Sequence, residues 1–145
     1  RRLATTVGVA RGEAIASGRV HGILYDVTHQ RFAILAPPSA EDIEAGAAKP
    51  GDLERLEWET MPPGIEMGWV GLGDRTVSHG TVTTRAHPLG IATAHAVYFR
   101  GREGGEITVT VNPVSGLVEL LPGEVKLDLF AEASEFGGGL SGSDF

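Results

Sequence analysis

The strongest constraint on the fold is a change in the spacing of apolar residues at Gly18. Before this glycine, apolar residues recur at spacings of 4, 3 and 4, as on one stripe of a helix: Leu3, Val7, Ala10 and Ala14. After it, apolar residues alternate in short runs separated by glycine, proline and polar residues. The sequence therefore predicts a helix over residues 1–18, ended by the glycine, and then a series of short strands.

The predicted helix needs support from the rest of the chain. Ala4 and Ile15 widen its apolar stripe, whereas Val9 falls on the opposite side. Gly8 and Gly12 each cost about 1 kcal/mol of helix stability relative to alanine. We therefore expect the stripe to pack on a sheet, or the helix to be the downstream end of a longer one.

Seven or eight short strands are expected after the helix. The candidate runs are residues 20–25, 31–35, 53–59, 65–72, 94–100, 106–111, 117–121 and 124–130. Five residues join the first two runs, which favours an antiparallel hairpin. The weak, polar pattern of residues 73–90 leaves two alternatives: an exposed edge hairpin, pairing 76–77 with 81–84, or a loop.

This order of elements predicts an α+β fold, in which an amphipathic N-terminal helix packs on antiparallel β-sheets. The 145 residues fit one domain, which we assign to residues 1–131. We predict that residues 39–52 are an acidic surface excursion, in which Ser39, followed by Asp42, is a candidate cap for a short helix. Residues 132–145 are polar and glycine-rich, and we expect them to be a flexible tail.

Composition argues against several classes of function. The chain has 12 Lys and Arg against 19 Asp and Glu, a net charge of −7, with no cationic run longer than Arg1–Arg2. Because phosphate binding needs clustered cations, we expect no nucleic-acid partner. The lack of cysteine excludes disulfides, cysteine-ligated zinc and a cysteine nucleophile. No stretch approaches the roughly 18 consecutive apolar residues of a membrane span.

The polar residues do not form a recognisable catalytic motif. The histidines show no metal-binding spacing: His21, His29, His79, His87 and His95. Ser78 and Ser141 do not lie in the strand-to-helix turn that a serine nucleophile requires. The carboxylates of residues 41–59 fit a solvated face. We therefore expect no enzyme activity, no cofactor and no metal site.

Two tryptophans, Trp58 and Trp69, flank a proline turn at residues 61–64. Core packing is the first interpretation of both side chains. Contact with a partner is the second, since aromatic residues are enriched at interfaces.

Several stretches resemble the globular part of a GspH/FimT-type minor pseudopilin, from type II secretion systems and related type IV pili. The family's helix end resembles residues 3–19, LATTVGVARGEAIASGR, and the strand hairpin follows as in the family. Its Leu-Pro-x-Gly-Val turn is similar to residues 61–65, MPPGI, and its closing hairpin to residues 107–118, ITVTVNPVSGLV. Its Phe-x-Pro-x-Gly turn appears at residues 99–104 without the proline.

The resemblance implies a non-catalytic subunit of the periplasmic pseudopilus of a type II protein secretion system. Pseudopilins have a long N-terminal helix whose first half lies in the inner membrane, and we expect that half to precede Arg1. The implied partners are other pseudopilin or pilin subunits, with the secreted protein or the outer-membrane secretin as further candidates. Helix–sheet and filament packing are assigned to Leu3, Val7, Ala10, Ala14 and Ile15.

Two other functions remain open from the sequence. One is a type IV pilus minor pilin, in assembly or DNA uptake, for which Arg100 and Arg102 form the candidate basic strand end besides Arg1–Arg2. The other is a small β-rich ligand-binding module, which requires a buried cleft with converging titratable side chains.

Overall fold

A computed structural model describes residues 2–49, 51–101 and 103–125. These residues form two helices, α1 (Arg2–Ser17) and α2 (Ala40–Glu44). They also form ten strands: β1 (His21–Asp26), β2 (Arg31–Ala36), β3 (Glu54–Arg55), β4 (Glu59–Thr60), β5 (Ile65–Leu72), β6 (Arg75–Val77), β7 (Thr81–Ala86), β8 (His95–Gly101), β9 (Glu106–Val111) and β10 (Val118–Pro122).

The strands make two antiparallel sheets of five strands each. Sheet A has the order β3-β2-β1-β7, and β4 also pairs with β2. Sheet B has the order β10-β9-β8-β5-β6. The predicted α+β class with antiparallel sheets is confirmed.

The first hairpin forms as the alternating pattern predicts. In its antiparallel register Tyr25 lies opposite Phe32, and Ile23 lies opposite Ile34. The short helix α2 also follows its sequence signal, because the Ser39 hydroxyl accepts a hydrogen bond of 3.1 Å from the amide of Asp42.

The continuous strand predicted at residues 53–59 is wrong. The chain pairs with β2 only at two short strands, β3 and β4, and Leu56 between them is exposed. At this interruption the Trp58 ring lies between two guanidinium groups, with Arg31 at 3.9 Å and Arg55 at 4.6 Å from its centroid. Such cation–π contacts are favourable at partly exposed sites, and here they accompany a break in the strand pairing.

The hairpin considered for residues 73–90 is also wrong. Residues 75–77 form β6 and pair with β5 in sheet B, whereas residues 81–86 form β7 and pair with β1 in sheet A. The chain therefore crosses from one sheet to the other at residues 78–80. Gly80 permits the crossing, since its φ of 88° is unfavourable for other residues and its carbonyl accepts from the amide of Val27 at 2.9 Å.

One hydrophobic core joins the helix to both sheets. Its largest members are buried on β1, β2, β5 and β8, and α1 contributes Val7 and Ala10. Ala96 and Tyr98 alternate with core residues of β8, so they lie on the other face of sheet B, where they pack with Trp69 in a second cluster.

The chain after β10 returns along this second cluster. The Thr108 hydroxyl donates to the carbonyl of Gly123 at 2.8 Å and accepts from the amide of Val125 at 3.0 Å. Glu124 and Val125 are not in a strand. The rest of the strand predicted at residues 124–130, and the tail predicted at 132–145, lie outside the described residues.

Candidate assembly surface

Helix α1 has one face inside the molecule. Val7, Ala10 and Ala14 on this face are almost fully buried. The helix lies mainly against β1, with smaller contacts to β2 and β7. Two of the three buried residues are alanines, whose small side chains allow a close approach of the helix to the sheet. Gly18 then ends the helix with a φ of 71°, donating its amide to the carbonyl of Ala14 at 3.0 Å.

The opposite face of α1, which we call the outer face, consists of Gly8, Val9, Gly12 and Ile15. Ile15 was expected to widen the buried stripe, but it is 46% exposed, because residue 15 is turned about 100° from Ala14 around the helix. Val9 is exposed to a similar extent. A Cβ atom built on either glycine would meet open space. The side chains of Leu3 and Ala4, the remaining residues of the predicted stripe, lie outside the description.

Arg11, at the border of the two faces, fastens α1 to two distant loops. Its Nε donates a hydrogen bond of 3.0 Å to the carbonyl of Gly90. Its side chain also fills the space beside Gly116, where any Cβ would collide with it. The amide of Ala92 donates to the carbonyl of Pro113 at 2.9 Å, which joins the two loops directly. We call residues 87–91 and 112–117 the loop pair.

The loop pair exposes four large apolar side chains. Leu89 is 89% exposed, Val114 77% and Leu117 70%, and Ile91 is half exposed. Neither loop contains Asp, Glu, Lys or Arg. Single exposed apolar residues are normal, but several on two joined loops are typical of an interaction surface.

A buried hydrogen bond connects the two sheets. The hydroxyl of Tyr25 on β1 and Nε2 of His95 on β8 are 2.7 Å apart, and both side chains are almost fully buried. Nδ1 of His95 lies 2.8 Å from the carbonyl of Thr93. A carbonyl can only accept, so Nδ1 carries the proton and Nε2 accepts from the tyrosine. Burial lowers the pKa of His95 to about 4 and raises that of Tyr25, so the pair is neutral at pH 7.

Asp26 at the end of β1 is a buried carboxylate that holds the hairpin connection. Arg31 Nε donates to it at 2.9 Å, and His29 Nδ1 lies 3.0 Å away. Burial would raise the pKa of Asp26, but the hydrogen bonds from Arg31 and His29 outweigh it and leave the pKa below its usual value. This group therefore stabilises the turn.

The two tryptophans occupy different environments. Trp69 is buried, stacks on Tyr98 with ring centroids 5.6 Å apart, and donates from Nε1 to Glu124 at 2.7 Å. Trp58 is partly exposed between Arg31 and Arg55. Of the two, only Trp58 is accessible for contact with a partner.

The remaining titratable side chains of the described residues lie apart from one another. In residues 2–49, 51–101 and 103–125, no group of three or more His, Asp or Glu side chains could hold a metal ion. His79 and His87 are exposed on separate loops. His21 is buried and its Nδ1 lies 3.1 Å from the carbonyl of Arg19. The carboxylates of α2 and its surroundings are exposed.

An open cleft of about 470 Å³ lies where β5 meets β8, lined by Gln30, Gly64, Ile65, Glu66, Arg100 and Gly101. Its polar side chains are already engaged. Gln30 donates to the carbonyls of Val27 and Met67 and accepts from the Met67 amide. Arg100 pairs with Glu66 at 2.8 Å. These two titratable side chains are about half exposed and neutralise each other, so the cleft does not have the buried, converging groups that the ligand-binding alternative requires.

Sequence reasoning missed the outer face and the loop pair. Two signals were present: the spacing Gly8-x-x-x-Gly12 and the uncharged runs at 87–91 and 112–117. The contact that joins them, between Arg11 and Gly90, spans 79 positions in the sequence and leaves no local pattern.

Comparison with known proteins finds a similar fold but no similar sequence. No protein-family model matches the sequence, and no curated protein sequence matches it significantly. Within the described part of the chain, neither helix is long and apolar enough to cross a membrane. The structure is similar to that of the minor pseudopilin EpsH from the Type 2 Secretion System of Vibrio cholerae, with a TM-score of 0.60 at 18% sequence identity. The similarity covers 85% of this chain and 94% of that one, and it shows that this chain has a pseudopilin-like fold.

Proposed function

We propose that this chain is the globular domain of a minor pseudopilin, a non-catalytic subunit of the periplasmic pseudopilus of a type II protein secretion system. The observation that carries the proposal is the fold, because the similarity to EpsH extends over nearly the whole of both chains. The GspH/FimT-type motifs of the sequence support the same assignment.

The division of α1 into two faces supports a role in assembly. Val7, Ala10 and Ala14 are used inside the molecule, so they are not available to neighbouring subunits. The outer face carries two glycines at a spacing of four, with open space beside them and exposed Val9 and Ile15 on the flanks. Small residues at this spacing let two helices approach closely, which suits a filament built from packed helices.

The polar interior supports a non-catalytic role. Tyr25 and His95 form a hydrogen bond with each other between the sheets. The carboxylate of Asp26 accepts hydrogen bonds from Arg31 and His29. Each of these buried groups is explained by the stability of the fold, and none faces the cleft at β5 and β8.

The proposed location follows from the proposed function. The full-length protein is anchored in the inner membrane by an apolar helix that continues α1 towards the N-terminus, and this domain lies in the periplasm. Its partners are other pseudopilin subunits, with the secreted protein or the outer-membrane secretin as further contacts.

The test uses the full-length gene with its native start, in its own host. We expect the prepilin peptidase to shorten the product, and the mature protein to co-purify with other pseudopilins from the membrane fraction. A full-length protein that is soluble and has the same mass with and without the peptidase would contradict the proposal.

DNA uptake as a type IV pilus minor pilin receives less support. Arg100, the described member of the candidate basic strand end, is paired with Glu66. The same domain in a type IV pilus would present the same outer face, so filament identity is decided by which subunits co-purify.

A further inference from the structure

We infer that the side of sheet B turned away from the core, which we call the back face, is the docking site of the chain's own residues 126–131. These residues, KLDLFA, follow directly on the described part of the chain. The inference is independent of the proposed function, because it concerns what covers this sheet within one molecule. Its consequence for assembly is that the back face is closed to neighbouring subunits.

The back face is buried along two rows of paired residues. The first row runs through Trp69, Tyr98 and Thr108, which lie opposite one another on β5, β8 and β9. The second row contains Ala96 and Thr110. All five side chains are at most 9% exposed. A sheet face that is open to water carries exposed, polar side chains at such positions, so the back face is a covered one.

This cover does not come from the core side. Sheet A and α1 pack against the opposite side of sheet B, where β8 and β9 contribute their alternate residues to the common core. From outside, the back face is reached by Glu124, whose carboxylate accepts from Nε1 of Trp69 at 2.7 Å. It is also reached by Val125, whose amide donates to the Thr108 hydroxyl at 3.0 Å. Both contacts lie on the first row.

The course of the chain at Gly123 directs the following residues towards the second row. The amide of Gly123 donates to the carbonyl of Glu106 at 3.0 Å, at the start of β9. Two residues later, the amide of Val125 is bonded to Thr108. Gly123, with a φ of 81°, therefore turns the chain back over the back face in the direction of Thr110. The two rows are about 7 Å apart, a distance that two extended residues span.

The segment that follows has the composition of a cover. Leu127, Leu129 and Phe130 are apolar, and the charged residues Lys126 and Asp128 alternate with the leucines. An extended segment with this alternation has its leucines on one side and its charges on the other. Docked on the apolar back face, it buries the leucine side and leaves the charged side in water.

The occupant belongs to the same molecule because the segment is already attached at the site. Residue 126 follows Val125, which is hydrogen-bonded to the back face. Such a tether gives the segment a high effective concentration there, so that even a weak interaction keeps it docked. A second molecule would have to displace it.

The experiment measures the quenching of Trp69 fluorescence by acrylamide in the chain of 145 residues. A Trp58→Phe background leaves Trp69 as the single tryptophan. Combining Leu127→Ser with Leu129→Ser in this background should remove the cover. Quenching should then increase, and the emission maximum should shift to longer wavelength.

The matched control combines Lys126→Ser with Asp128→Ser, which changes the charged side of the same segment and should leave quenching unchanged. Two shortened chains test the segment as a whole. Ending the chain after Val125 should expose Trp69, whereas ending it after Ala131 should not. Equal quenching of the two double variants, or of the two shortened chains, would overturn the inference.

A further measurement uses the wild-type chain and needs no variant. Lysine occurs at residues 49 and 126, and the bond after residue 49 precedes a proline, which hinders cleavage. A lysine-specific endoprotease therefore reports on the bond after Lys126, which should be cleaved about tenfold or more slowly than in a free peptide of residues 120–132. Cleavage at the rate of the peptide would contradict the docking of this segment. Protection that is lost on dilution would assign the cover to a second copy and would contradict it as well.

Discussion

Tyr25 and His95, which are 70 positions apart in the sequence, join the two sheets by a hydrogen bond of 2.7 Å between the phenol and Nε2 of the imidazole. The bond requires a neutral histidine, because protonation at Nε2 removes the acceptor. The stability of this fold should therefore depend on the protonation of His95.

The first prediction concerns pH. The pKa of His95 is about 4 in the folded protein, against about 6.5 in the unfolded chain. Between these values the unfolded state binds the proton and the folded state does not, so the free energy of unfolding falls as the pH decreases from 6.5 to 4. The expected loss is about 3 kcal/mol in total. Urea denaturation at several pH values measures it, and His95→Gln should remove most of this slope relative to the wild type.

Removal of the tyrosine hydroxyl tests the same pair at constant pH. Tyr25→Phe leaves Nε2 of His95 buried without a donor, which should cost about 1–3 kcal/mol at pH 7. Tyr98→Phe is the control, because its hydroxyl donates to Glu106, which is exposed, so water can replace the lost hydrogen bond to the carboxylate. If the two variants lose the same free energy of unfolding, the inter-sheet hydrogen bond contributes no more to stability than the one to Glu106.

The two faces of α1 should respond oppositely to added methyl groups. Ala10→Leu overfills a buried position and should destabilise the domain by about 1–3 kcal/mol. Gly12→Ala adds a Cβ in open space and should stabilise the helix by up to about 1 kcal/mol. Thermal unfolding of the isolated domain distinguishes them, and a destabilised Gly12→Ala variant would contradict the assignment of the outer face.

Gly116 should not tolerate a side chain. Its φ is 72°, and a Cβ atom would collide with the side chain of Arg11. Gly116→Ala should therefore cost about 1–3 kcal/mol, from backbone strain and displacement of the arginine. Gly104→Ala shares the positive φ but has open space around it, so it should cost less. Denaturant midpoints of the two variants measure the difference.

The carboxylate of Asp26 should stabilise the fold at neutral pH. Its pKa is lowered in the folded state, so its contribution is present above the pKa of the unfolded chain and is lost as the pH falls through the folded value. Asp26→Asn should lower the free energy of unfolding at pH 7, by about 1–3 kcal/mol. The difference from the wild type should shrink in acid, and a constant difference would argue against this origin.

Local patterns predicted much of the fold. The change of period at Gly18 defined the helix and the first strands, and the hairpin of β1 and β2 followed from alternation and a short connection. Ser39 marked α2 because capping is a local hydrogen bond. These features depend on residues that are close in sequence.

The features that were missed depend on distant residues. The break between β3 and β4 accompanies the contact of Trp58 with Arg31, which lies on β2, more than 20 residues before it in the sequence. Residues 73–90 divide between two sheets because β6 and β7 pair with different, remote strands. Whether Ile15 is buried depends on which side of the helix faces the sheet. The apolar stripe of this helix is too weakly defined to predict that side.

The structure buries one face of α1 in its own domain, and our central proposal is that the other face contacts neighbouring subunits. The chain contains no cysteine, so single cysteines can be placed on each face of the full-length protein and oxidised in intact secreting cells. We expect Gly12→Cys to cross-link to a neighbouring subunit carrying its own single cysteine, while Ala14→Cys, on the buried face, remains a monomer. Cross-linking at residue 14 and not at residue 12, or at neither, would contradict the account.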